Sequence, residues 1–188
     1  MKKLSLTLSF FLLVYIAKAQ FYKSVLPSPA FSDSLNRIVK DYCFNYHQIQ
    51  GEPLEMQDQL EVYRSLASVP GAKETFIYRF HSVEDSTASW QAIMYKGESY
   101  KEAVKIYKNM FRLINKSKLH FGDDKNGSFS GSMQEPTEDL RFTSSLLRAN
   151  SSNIMYKDFI ANVDLLNTME GWEVKISLNR KREDTEKY

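Results

Sequence analysis

Residues 99–114, SYKEAVKIYKNMFRLI, are where the chain commits to a fold. Ser99 and Glu102 form a capping-box pattern, in which a hydroxyl and a carboxylate each satisfy a backbone amide left free at a helix start. Behind them Tyr100, Ala103, Val104, Tyr107, Phe111 and Ile114 fall on one helical stripe, which Ile106, Met110 and Leu113 widen. A helix apolar over so wide an arc has two packed sides, as it would between a sheet and a second helix.

Upstream, three segments have strand character: Ser89–Lys96, Glu74–Ser82 and Glu61–Ser68. The last two are joined through Val69-Pro70-Gly71-Ala72, the chemistry of a type II turn, because Pro fixes the first φ and Gly accepts the positive second one. A short strand around Gln48–Gln50 precedes them and is expected to stop at Gly51 and Pro53. Before it, Phe31, Leu35, Ile38, Val39, Tyr42 and Tyr46 recur at helical spacing, with Ser32 or Ser34 as the expected cap. Downstream of residue 121, the Gly-, Ser- and Asp-rich segment Gly122–Asp139 reads as a loop with a short strand near Ser128–Ser132. Strands resume at Leu140–Arg148, Ile154–Leu165 and Trp172–Asn179.

Each half therefore offers a helix and then several strands, and Trp90 and Trp172 each open the last strand of their half. The expected fold is α+β: an antiparallel β-sheet with two main helices packed on one face, built as a duplicated α-β-β-β unit. In the final strand Trp172, Val174, Ile176 and Leu178 alternate with Glu173, Lys175, Ser177 and Asn179, so one side is core and the other wet. The first half alternates less cleanly. Placing Phe76, Tyr78, Phe80, Trp90, Ala92 and Met94 inward leaves Ile77, Arg79, His81, Gln91, Ile93 and Tyr95 outward, with Ile77 opposite Tyr95, Arg79 opposite Ile93 and His81 opposite Gln91. That mixed patch, Ile77, Arg79, His81, Ile93 and Tyr95, is the candidate binding surface.

Residues 1–19 read as a cleaved bacterial signal peptide: Lys2 and Lys3, an apolar run from Leu8 to Ala17, and Ala17-Lys18-Ala19 before Gln20. Export to the periplasm or beyond the cell is the corresponding expectation. No cysteine stands directly after the cleavage point to take a lipid, so no membrane anchor is expected. Residues 20–180 read as one globular domain and 181–188 as a charged disordered tail. Loss of the leader removes three lysines and no acid, which takes the formal net charge from +2 to −1. A nearly neutral protein lacks the positive field that nucleic acid binding requires.

The chemistry-bearing residues form no recognisable catalytic set. His47, His81 and His120 are not spaced as a metal pair, and Cys43, the only cysteine, reads as a small buried hydrophobe. Neither a metal nor a cofactor is expected. His81-Ser82 alternates across a strand and cannot share a proton, and no Gly-x-Ser-x-Gly elbow or phosphate-cradling Gly loop occurs. The reading that follows is an exported noncatalytic module that takes a protein, a peptide or a small apolar ligand, or a second copy as a homodimer, on the outer face of the first-half sheet. The alternative is a small exported hydrolase that uses His120 with Asp123 or Asp124 beside the Gly122–Asp139 loop.

Overall fold

The computed structural model describes residues 27–81 and 87–181. The leader 1–19, Ser82, Glu84 and Asp85, and the charged run beyond Lys181 lie outside the described residues. Helix α1 (Pro29–Asp41) begins at Ser28, whose Oγ accepts the Phe31 amide at 3.2 Å, with Pro29 at the first helical position. The cap is thus Ser28 rather than Ser32 or Ser34, because proline has no amide to leave unpaired and suits the first turn. A 3-10 turn (Tyr42–Phe44) follows. Asn45 and Tyr46 then take positive φ of 51° and 60°, and the buried Asp41 carboxylate accepts the amides of Gln48 and Ile49, both at 3.1 Å.

Strand β1 (Gln50–Gln57) runs straight through Gly51 and Pro53, where a stop was expected. It can do so because it is an edge strand with two register shifts, which absorb a residue that has no donor. Strands β2 (Leu60–Ser65), β3 (Glu74–Phe80) and β4 (Ala88–Gly97) complete the first meander. Between β2 and β3, Gly71 has φ 86° and the Ala72 amide bonds the Val69 carbonyl at 3.1 Å, as the Pro-Gly turn requires.

Helix α2 (Tyr100–Lys116) starts where its cap predicts, with Ser99 Oγ accepting from the Glu102 amide at 3.3 Å. Within the segment read as a loop from Gly122 to Asp139, the strand near Ser128–Ser132 is longer than expected: β5 (Leu119–Phe121) turns at Gly122, φ 64°, into β6 (Asp124–Gly131), and residues 132–139 are irregular. Its glycines serve packing rather than mobility. A Cβ on Gly127 would fall 2.0 Å from the Phe121 ring, which lies across β6 at that point. Strand β7 (Phe142–Asn150), a 3-10 turn (Ile154–Tyr156), β8 (Phe159–Thr168) and β9 (Gly171–Arg180) finish the second meander.

All nine strands form one antiparallel sheet in the order β1-β2-β3-β4-β9-β8-β7-β6-β5, and the two helices pack on one face of it. The last strands of the two halves are neighbours at the centre. Into the layer between sheet and helices go Ile77 of β3, Trp90 and Ala92 of β4, Val163 of β8, Val174, Ile176 and Leu178 of β9, and Ala103, Tyr107 and Ile114 of α2. The Trp90 indole donates to Ser65 Oγ at 3.0 Å and lies 3.2 Å from the Ala67 carbonyl. Tyr46, with no exposed surface, donates its hydroxyl to the Leu178 carbonyl at 2.9 Å and so ties the start of the chain to its last strand. Removing that bond leaves a buried acceptor. Tyr46→Phe is expected to cost about 1 kcal/mol and Trp90→Ala about 3–5 kcal/mol, read as falls in the midpoint of denaturant unfolding with the slope unchanged.

Candidate functional site

Register decides which side chains face the core: on β4 Trp90, Ala92 and Met94 face it as expected, whereas β3 runs opposite to expectation. Ile77 pairs with Trp90 and Arg79 with Ala88, so the odd-numbered residues of β3 share the core side with Trp90. Ile77 is fully buried there and Arg79 nearly so. Phe76, Tyr78 and Phe80 point to the other face. A bulge between Ile93 and Tyr95 reverses the alternation within β4, which turns Tyr95 inward while Ile93 stays outward. His81 lies just past the end of β3, exposed, with its Nε2 2.9 Å from Glu61 Oε2. The five residues Ile77, Arg79, His81, Ile93 and Tyr95 therefore do not share a surface, and only Ile93 lies on the outer face of the sheet.

Arg79 takes part in the fold's own polar network. Its Nη2 donates to the Asn45 carbonyl at 3.0 Å and to Gln50 Oε1 at 2.7 Å, which clamps the left-handed turn at Asn45 and Tyr46 onto the sheet. Burial lowers its pKa from the usual arginine range. Glu61, opposite Arg79 across β2 and β3, takes bonds from His81 and from the Tyr63 hydroxyl at 2.7 Å, which hold its carboxyl below the usual range.

The outer face of the sheet is what remains of the notion of a contact surface, now with different residues. Across β2, β3 and β4 it presents Leu60 opposite Phe80, Val62 opposite Tyr78, Tyr78 opposite Ser89, and Phe76 opposite Gln91, with Ile93 opposite Glu74. Val62 and Ile93 are 7% and 6% exposed but belong to no part of the main core. Among the described residues the helices and 3-10 turns pack on the opposite side, so the described neighbours of Val62 and Ile93 are those on this face of the sheet. On the second half the same face is more polar. Asp164 there sits between Ser144, whose Oγ donates to it at 2.6 Å, and Lys175, its partner on β9. Desolvation raises the Asp164 pKa, against the opposing effects of Ser144 and Lys175.

The edges of the sheet, by contrast, are closed to strand addition. β1 carries Pro53, two register shifts and Glu52, which pairs with Arg64 of β2. At the other edge, Asn36 of α1 donates its side-chain amide to the Lys118 carbonyl and accepts the His120 amide at 2.8 Å, supplying the bonds that a further strand would make.

Of the two acids expected beside His120, Asp124 is engaged elsewhere. His120 is exposed on β5, and the Asp124 carboxylate is occupied by the Ser152 and Asn126 amides and the Ser151 hydroxyl, which lower its pKa and fasten β6 to the turn after β7. Among the described residues no group of three His, Cys, Asp or Glu side chains is arranged to hold a metal ion, and no helix is long and apolar enough to cross a membrane.

Sequence reasoning missed a second feature, an open cleft of about 340 Å³ at the ends of β4, β8 and β9. Tyr42, Cys43, Ile154, Met155, Asp158 and Arg180 are among its lining residues. Cys43 is only half-buried, and it lies near the Tyr156 hydroxyl, whose pKa burial raises. No sequence signal could have assembled residues drawn from positions 42 to 180. Compared with known protein families, characterised proteins and solved structures, the chain matches none.

A pH dependence follows from Asp164. Its folded pKa is raised, so between the unfolded value near 3.9 and the folded value the native state binds more protons, and stability falls as pH rises. Asp164→Asn is expected to raise Tm at neutral pH, by a few degrees at most, about 2–4 °C per kcal/mol for a domain of this size. The gain should vanish below about pH 4, where the aspartate is neutral in both states, as paired thermal melts across that range would read.

Proposed function

We propose that this protein is an exported, noncatalytic binding module that engages a protein partner through the outer face of its first-half sheet. The observation that carries the reading is the row Phe76, Tyr78 and Phe80 on β3, backed by Leu60 and Val62 of β2 and by Ile93 of β4, on a face that no described helix covers. In a domain with one core layer, the second face of an antiparallel sheet is ordinarily wet and polar. Here three consecutive outward positions of β3 are aromatic, the residue type that concentrates binding energy in interfaces. Closed sheet edges favour docking on the face over strand addition. Export rests on the leader-like residues 1–19. Duplication of the helix-plus-meander unit is the origin we favour for the architecture, supported by a helix followed by a meander in each half and by the two tryptophans near the starts of β4 and β9.

The test is site-specific photo-crosslinking in cells that produce the protein. A benzophenone side chain in place of Tyr78 is expected to yield a discrete adduct with a partner chain, and the same group in place of Lys105 on α2 none. Ile93→Glu should abolish the Tyr78 adduct while leaving the circular dichroism spectrum unchanged. Absence of any adduct at position 78 would defeat the reading.

A further inference from the structure

The cleft at the ends of β4, β8 and β9 lies on the helix-bearing side, away from the proposed docking face, and its walls define a ligand of different chemistry. We propose that it binds a free α-amino acid with an apolar side chain, held as its zwitterion. Arg180 Nη2 and Asp158 Oδ2 are 3.7 Å apart, longer than a hydrogen bond, with side chains 59% and 41% exposed. Such a pair satisfies neither partner fully and contributes little to stability. A simple carboxylate entering here would meet Arg180 but face the Asp158 charge, and a simple amine would do the reverse. A zwitterion answers both, with its carboxylate on the guanidinium, which can hold it through two parallel bonds, and its ammonium on Asp158.

The rest of the cleft supplies the place for an apolar side chain. Ile154 and Met155, 77% and 58% exposed, project at the rim with no packing role for most of their surface. Opposite them the Tyr42 ring is fixed by stacking on Phe159, ring centroids 4.0 Å apart. A volume of about 340 Å³ lies at the low end of small-ligand sites, too small to seat the surface of a folded partner. The back of the cleft is pre-formed. Asn45, in the left-handed region, accepts the Ala88 amide on Oδ1 at 2.8 Å and the Arg79 guanidinium on its carbonyl, so little ordering is needed when a ligand enters.

Cys43 lines this cleft and is the only cysteine of the chain, so its alkylation reports occupancy at one site. The full-length protein is treated with iodoacetamide in the presence of L-leucine, L-phenylalanine, N-acetyl-L-leucine or L-leucinamide, with calorimetric titration of each compound alongside. L-Leucine and L-phenylalanine are expected to slow alkylation at least ~5-fold near saturation, with a Kd on the order of 0.1–1 mM for so few atoms. The blocked compounds, each lacking one charge, should neither protect nor give heat. Arg180→Gln and Asp158→Asn should each weaken L-leucine by about tenfold with Tm unchanged. Equal protection by N-acetyl-L-leucine or L-leucinamide would overturn the zwitterion assignment. The absence of both heat and protection with either amino acid would overturn the site.

Discussion

The antiparallel pairing of β4 with β9 makes one continuous sheet out of two helix-and-meander halves, and most of the other features presuppose it. Seven residue pairs, from Trp90 with Leu178 to Gly97 with Trp172, join strands that lie far apart in sequence. Each pair needs the whole intervening chain to fold back on itself, so its closure entropy is paid once for the ladder as a whole. Three further constraints lock the same junction. Trp90 anchors its indole on the end of β2, Tyr46 bonds the Leu178 carbonyl, and α2 crosses β4, β9, β8 and β6. Without this seam, neither four nor five strands under a single helix would enclose a core of this size.

The same seam leaves the sheet with one face under the helices and the other without a helix among the described residues, and the two differ in chemistry. On the covered side, polar groups are enlisted to hold irregular backbone. Asp41 caps the amides of Gln48 and Ile49, Arg79 clamps Asn45, and Tyr107 bonds Ser145 at 2.5 Å and the Gln134 carbonyl at 3.0 Å. On the other side Val62 and Ile93 are buried although they lie outside the main core, and burial pushes the Asp164 pKa up. Natural folds accept such local costs most often where a surface has a task.

The facing of β3 is where reading the residues in order went astray, and the reason is physical. Phe76-Ile77-Tyr78-Arg79-Phe80 is apolar in both phases of the pleat, so side-chain size pointed one way and register the other. A phase shift of one residue moves every side chain to the opposite face. That phase is set by long-range partners: the ladder to β4, the β4 bulge, and the packing of Trp90. The strand expected near Ser128–Ser132 within the Gly122–Asp139 loop came out too short for a related reason. Its glycines resemble turn residues locally, but Gly127 is required because a ring from the neighbouring strand passes over it.

What the sequence determined by itself was the part that depends on neighbours a few residues apart. Helix α2 and its Ser99 cap, the Pro-Gly turn, the clean alternation of β9 and the α+β class all follow from periods of 3.6 and 2 and from the φ preferences of Pro and Gly. Tertiary structure alone decided the order of strands, the face on which Ile77, Arg79 and Tyr95 lie, and the meeting of Tyr42, Ile154, Asp158 and Arg180 around one cleft. Those outcomes turn on which distant segments pair and in what register. That choice is made by the total burial of the sheet, to which each residue contributes only through partners that its own neighbourhood does not name.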